Sequence, residues 1–262
     1  MKMKWQPSPI NKELTIIVVA HNLHSLYYPF IESFYSSLPL GCNYLIGNFE
    51  STDHTLDLIK ILCHYAPMEV VHLKWRPETG GTAIGLATQQ LVSLCKTPLV
   101  LNLQANEVLT EETVQSVLEA PQPAAFRTRH FWGNFNFDGS IGGHGYGEAP
   151  RIYSNLQKGL DCGDGCWPPG GNNFGLWPVR GTIHRYSYCF DNQVAVKAQN
   201  HYKLYLGHAQ TPTQRLDSIN WCKKNPNYFG PHPKCVQHLI GQTNYDSQRS
   251  WNILSPTLEP IA

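Results

Sequence analysis

Charge is what this sequence has least of. Asp, Glu, Lys and Arg make up 15% of its 262 residues, against about 25% in an average globular domain. The 20 Lys and Arg nearly cancel the 19 Asp and Glu, leaving a formal net charge of +1. No basic run occurs, so the electrostatic footprint of a nucleic-acid binder is missing. A small anionic ligand stays within reach, because backbone N–H groups at a helix start bind one without a basic face.

Long apolar runs are lacking as well. Nothing approaches the roughly 18 apolar residues of a membrane-crossing helix. Lys2 and Lys4 precede an apolar run, Leu14 to Ala20, that is too short and too late for a secretory signal. The chain therefore reads as cytoplasmic, either free or peripheral at the inner face of a membrane. The eight cysteines are then expected as thiols, with Cys42, Cys63 and Cys95 as small core residues in apolar segments. Tight Cys pairs are absent. Cys162 and Cys166 stand four positions apart, and neither they nor Cys222, Cys235 and His238 have the paired spacing of a tetrahedral zinc cluster. No G-x-G-x-x-G follows the first apolar run, which disfavours a dinucleotide enzyme.

What is present is material for a core: 42% hydrophobic and 11% aromatic residues. Leu14 to Ala20 is β-branched and apolar on both faces, as a buried parallel strand is. Leu23, Leu26, Tyr27, Phe30, Ile31, Phe34, Tyr35 and Leu38 follow at helical spacing and predict a helix over 23–38. The unit repeats. Strands are expected at 43–47, 70–75 and 99–103, with helices from Ser51 or Thr52 to 65, over 83–96, and from a Thr110 cap to 119. This alternation implies an α/β fold with a mainly parallel central sheet and helices on both faces. After Pro123 the pattern changes. Strands are expected at 125–130 and at 151–154, the second between Gly-rich stretches 133–147 and 159–181. A helix capped by Asp191 is expected over 193–206, and a tail rich in Pro, Asn and His carries one short helix near 234–240.

In an open parallel sheet, ligands bind beyond the carboxyl ends of the strands. Two such ends carry short polar side chains: Asn48-Phe49-Glu50-Ser51-Thr52-Asp53-His54-Thr55 and Gln104-Ala105-Asn106-Glu107. The first resembles the D-x-x-S-T-D-x-T element of family 2 glycosyltransferases with the GT-A fold. The second falls where that family has D-A-D-E, its metal-binding DxD motif. Ile16 to Asn22 is similar to the family's first strand and polar turn. Arg151-Ile-Tyr-Ser-Asn155 resembles an R-I-(aromatic)-x-N segment, Ile183 to Tyr188 an H-x-Y-G-(aromatic) segment, and Gly230-Pro-His-Pro233 a G-x-H-P element. The likeness spans most of the chain.

The resemblance implies a GT-A-like, Rossmann-like three-layer fold in one domain, 1–262. It has a nucleotide-binding half at about 11–120, a loop-rich acceptor half at about 121–210, and an extension at about 211–262. It implies transfer of a sugar from a nucleotide-diphosphate donor to a glycan or small-molecule acceptor, with inversion. The alternative is a catalytically silent nucleotide-sugar or glycan binder on the same fold. Nucleotide contacts are expected from His21, Asn22, Asn48, Glu50, Asp53, Gln104 and Asn106. Glu107, Asn106 and His184 are the candidates for Mg²⁺ or Mn²⁺. That cation should bind weakly, because Asn48, Gln104 and Asn106 stand where the family has acids, and hard cations need carboxylate charge. Arg151, Arg185 and Trp167 are candidates for phosphate or acceptor contacts, and Trp132 and Trp177 for sugar stacking. Glu148 and Asp164, with Asp161, are the general-base candidates.

Each site residue has a plainer reading beside it. Asp53 is equally a first-turn acid satisfying helix amides. Asn106 and Glu107 are equally a polar strand end, and His184 a satisfied core histidine. The loop acids are equally solvated, and the tryptophans equally anchors.

Overall fold

The computed structural model describes residues 11–119, 122–140, 148–154, 177–204, 210–258 and 260. Its centre is β1 (Asn11–Ala20), whose residues 14–18 are buried on both faces. Alternation along the strand sorts its side chains. Leu14, Ile16, Val18 and Ala20 join one core cluster with Tyr44, Ile46 and Leu101. Ile17 joins another with Leu45, Phe49, Val100 and Tyr153.

Parallel ladders bind β1 to β2 (Cys42–Phe49) on one side and to β4 (Leu99–Asn102) on the other, and β2 to β3 (Met68–Leu73). Helices cover both faces. Phe30 and Phe34 of α1 (Phe30–Ser37), Ile59 and Leu62 of α2 (Thr55–Leu62), and Val114 and Val117 of α4 (Glu111–Glu119) pack in the first cluster. Ala87, Leu91 and Val92 of α3 (Ala83–Leu94) pack in the second. Beyond β4 the sheet turns mixed. β5 (Glu107–Leu109), β6 (Ala124–Trp132), β7 (Glu148–Ser154) and β8 (Trp177–Tyr188) complete the order β3-β2-β1-β4-β7-β6-β8-β5. β7 is antiparallel to β4 and β6, β8 is parallel to β6, and β5 is antiparallel to β8. The carboxyl ends of β1, β2, β4, β6 and β8 thus share one edge. α5 (Asp191–Leu204) and α6 (Pro212–Lys224) follow β8.

Three expectations need correction. The helix expected from residue 23 begins only at Phe30. Asn22 and Tyr27 have φ of 50° and 52°, left-handed values that a right-handed helix excludes. The apolar spacing of 23–28 therefore packs a turn. The strand expected to run toward Glu107 stops at Asn102, and β5 crosses to the far edge of the sheet. The tail read as mostly irregular holds two further helices. Thr211 and Gln214 form a capping box ahead of α6, with Pro212 in its first turn. Asp246 caps α7 (Ser247–Leu254) by accepting from the amides of Gln248 and Arg249. The segment near 234–240 forms a 3-10 helix, Lys234–Leu239.

Val236, Leu239, Tyr245 and Leu254 of this tail pack with Ile31, Phe131 and Tyr186. At Gly181, φ is 86° and an added Cβ would lie 2.6 Å from the Thr113 amide of α4, so only glycine lets β8 approach α4 this closely. Among the described residues Cys42, Cys63, Cys95, Cys189, Cys222 and Cys235 are free thiols. No helix there is long and apolar enough to cross a membrane.

Candidate functional site at the carboxyl edge of the sheet

The loops after β1 and β2 are stitched into one rim. Asn22, held at positive φ, accepts from the Thr52 amide through Oδ1 at 2.8 Å, and its own amide donates to Ser51 Oγ at 3.1 Å. Asp53 spans the same two loops. Oδ2 accepts from the Ser25 amide at 2.6 Å and Oδ1 from the Thr55 amide at 3.0 Å, at the start of α2. Burial pushes the Asp53 pKa up, but the bonds from Thr55 and Ser25 outweigh that and hold it below its ordinary value. Both readings of Asp53 thus share one geometry, a helix-start acid that also fixes the rim.

His21 lies flat on Trp75, with ring centroids 4.4 Å apart and planes 12° from parallel. Its Nδ1–H donates to the Phe49 carbonyl at 2.6 Å, which leaves Nε2 without a proton in the neutral ring. Asn48, buried at the end of β2, donates Nδ2 to His72 Nδ1 at 3.2 Å and accepts from the Ser51 amide. Glu50, also at positive φ (52°), accepts from the Trp75 amide at 3.2 Å. His21, Asn22, Asn48, Glu50 and Asp53 are therefore brought together. Trp75 joins them without having been singled out in the sequence; an aromatic just past a strand at the ligand edge was the available signal.

The second polar end is arranged differently. Glu107 is fully buried. Arg151, on β7 and also buried, grips it with Nη2 to Oε1 at 2.6 Å and Nε to Oε2 at 3.0 Å. The Gln104 amide adds a bond to Oε2 at 3.1 Å. Burial raises the Glu107 pKa, but Arg151 outweighs it, and the carboxyl is held below its ordinary value. Asn106 donates Nδ2 to Ser187 Oγ at 3.0 Å and is buried.

His184 sits in an aromatic box beside Phe131, Tyr186, Tyr228 and His232. A relay fixes its tautomer. His232 Nε2–H donates to the Phe135 carbonyl at 2.9 Å, so its Nδ1 accepts from the Tyr186 hydroxyl at 2.9 Å. The Tyr186 oxygen then accepts from His184 Nδ1–H at 3.2 Å. Burial first, then His232 and Arg129, push the His184 pKa down to about 3, so the ring is neutral.

These engagements decide whether a divalent cation fits. Both oxygens of Glu107 are taken by Arg151, so the one carboxylate of the set is spent, and the amide of Asn106 and the neutral ring of His184 bring no charge to a hard cation. Among the described residues no three His, Cys, Asp or Glu side chains gather to hold a metal, which includes Cys222, Cys235 and His238. Among the described residues, those expected to hold a cation do not fit one.

Arg185 pairs in register with Glu107 on one side and His130 on the other. Glu148 begins β7, exposed, opposite Arg127. Trp132 ends β6, buried against Tyr188. Asp161, Asp164, Trp167 and the side chain of Trp177 lie outside the described residues, as do Cys162 and Cys166. His130 of β6, Lys197 of α5 and Arg215 of α6 form a basic cluster beside Arg185 that no spacing in the sequence announced.

No family model matches the chain, and no curated protein matches it. Solved structures do, loosely. S. aureus TarS (1–349) is 12% identical, covering 74% of this chain and 56% of its own, with a TM-score of 0.39. The mannosyltransferase PcManGT from Pyrobaculum calidifontis, solved with GDP-Man and Mn²⁺, is 11% identical over 81% of this chain and 72% of its own, at 0.37. An inositol-1-phosphate CTP transferase from T. maritima is 8% identical over 76% and 98%, at 0.41. The chain spans between 22% and 56% of the TarS chains it matches. At such scores the site stands on this chain's own residues.

Proposed function

We propose that this chain is a glycosyltransferase that binds a nucleotide-diphosphate sugar at the carboxyl edge of β1, β2 and β4 and transfers the sugar with inversion. The observation that carries the reading is the rim itself. Asn22 and Asp53 hold two loops together at the edge where open α/β sheets take ligands, and His21 on Trp75 offers a flat surface beside them. The likeness of Asn48–Thr55 to the D-x-x-S-T-D-x-T element falls on these same residues.

In such a transfer the acceptor hydroxyl oxygen attacks the anomeric carbon from the face opposite the leaving group. The C–O bond to the diphosphate breaks, its electron pair leaving with the nucleoside diphosphate, and the acceptor proton passes to a base. Glu148 and Asp164 are the proposed bases. Negative charge develops on the diphosphate. With Glu107 neutralised by Arg151, cationic side chains are the partners that suit it, Arg185 first.

The test is calorimetric titration with nucleoside diphosphates and their sugars, beginning with UDP-GlcNAc and GDP-Man, the ligands named with similar structures. At least one should bind, and Asn22→Ala should weaken it about tenfold, as expected for loss of the hydrogen bonds that shape the rim. Equal binding by Asn22→Ala would remove the rim from the account.

A further inference from the structure

The cluster at the ends of β6 and β8 holds buried polar nitrogens that the surrounding packing does not satisfy. His130 is buried, and neither ring nitrogen has a hydrogen-bond partner among the described residues. The same holds for Nε of Arg185, its cross-strand neighbour. Buried polar atoms are ordinarily paired, since desolvation without a bond is costly. Here the orphans meet added positive charge. Lys197 Nζ lies 4.7 Å from the centre of the Tyr188 ring, and Arg215 Cζ lies 5.4 Å from that same ring and 5.0 Å from that of Trp132. Trp132 in turn meets the His130 ring edge to face at 5.5 Å.

Glu107, in register with Arg185 on the neighbouring strand, is already committed. Glu107 gives both oxygens to Arg151, and neither Arg185 nor Arg215 forms an ion pair among the described residues. Arg185 and Arg215, beside a neutral, unpartnered histidine, repel each other unless an anion joins them. Burial, then Arg185, Lys197 and Arg215, push the His130 pKa well down, so the ring offers one N–H donor and no charge of its own.

We propose that His130, Arg185, Lys197 and Arg215 form a binding site for a phosphate-class oxyanion. Donors of fixed geometry on β6 and β8 meet charge on α5 and α6, and a phosphoryl group has the oxygens to accept from all of them. Lys197 also lies 4.8 Å over the ring of Tyr28, in the loop after β1, so the site adjoins the nucleotide rim. Two sources share this chemistry: the diphosphate of a sugar donor, or a phosphate carried by the acceptor. The site itself does not depend on the glycosyltransferase reading; only the choice between those sources does.

Titration of the full chain with inorganic pyrophosphate and inorganic phosphate tests it. Wild type should bind pyrophosphate, and Lys197→Gln and Arg215→Gln should each weaken binding about tenfold, the loss of one charge-assisted hydrogen bond. Lys60→Gln, on exposed α2, should change nothing. Arg215 is only half-buried, so its variant keeps the test open if Lys197→Gln fails to fold. No binding by wild type, or equal binding by Arg215→Gln, overturns the proposal. Competition between pyrophosphate and a nucleotide-sugar marks the donor as the source; simultaneous binding marks the acceptor. Pyrophosphate binding with no nucleotide-sugar binding would sink the donor reading and leave the anion site standing.

Discussion

Removing Arg151 separates two accounts of Glu107. If Glu107 is the neutralised partner of Arg151, Arg151→Met leaves a fully buried carboxylate with one remaining bond, from the Gln104 amide. Breaking a buried pair from one side costs about 3–5 kcal/mol. For a chain of this size that lowers Tm by about 6–20 °C, at roughly 2–4 °C per kcal/mol. Glu107→Gln should cost a comparable amount, by stranding Arg151. The double variant Glu107→Gln/Arg151→Met removes both charges and should be destabilised by less than the sum of the singles by at least about 2 kcal/mol. Urea denaturation of all four proteins gives the cycle. The pH dependence has a definite sign. The folded pKa of Glu107 lies below its unfolded value, so the pair's contribution is present above the unfolded pKa and is lost as pH falls through the folded one. Additive singles, or an Arg151→Met change under about 1 kcal/mol, would refute the pairing as the reason for the burial. Tight Mn²⁺ binding by wild type that Glu107→Gln abolishes would refute the absence of a metal role.

Three further outcomes are expected. Asp53→Ala should destabilise by about 0.5–1 kcal/mol, the lower part of the range for a lost helix cap because the site is half exposed, and should weaken nucleotide binding more than it weakens folding. His184 has its folded pKa lowered from 6.5 to about 3, so the unfolded chain takes up a proton that the folded one refuses. Stability should fall as pH drops between those values, and His184→Gln should flatten that slope in urea midpoints measured from pH 7 to pH 4. Gly181→Ala should cost at least about 1–2 kcal/mol, from a left-handed Cβ and a contact of 2.6 Å with the Thr113 amide; an unchanged thermal midpoint would contradict the close approach of β8 to α4.

The parallel half of the sheet was legible because burial on both faces writes itself as short apolar runs, such as Leu14 to Ala20 and Leu99 to Leu103. The rim was legible because polar residues at strand ends contrast with those runs. The turn at 23–29 was not, since Leu23 and Leu26 keep helical spacing while Asn22 and Tyr27 break the helix with backbone values that their side chains do not announce. β5 was hidden for another reason: three residues, Glu107–Leu109, pair only with β8, seventy-odd positions away, and a long-range ladder leaves no local pattern. α6 lies in a polar tail, with Ile219 and Cys222 its buried residues, so its sign was the Thr211–Gln214 box and not amphipathicity. The commitment of Glu107 to Arg151, and the gathering of His130, Lys197 and Arg215 from three elements, follow from tertiary packing that spacing cannot carry.

On the proposed function, the edge of β1, β2 and β4 binds a nucleotide-diphosphate sugar without a cation held by the protein. Calorimetry with a panel of nucleoside diphosphates and their sugars, run in Mn²⁺, in Mg²⁺ and in chelator, tests it directly. At least one ligand should bind with an affinity that changes less than about threefold between Mn²⁺ and chelator, a difference of about 0.65 kcal/mol. Binding by none of them under any of the three conditions, or binding that vanishes in chelator, would contradict it.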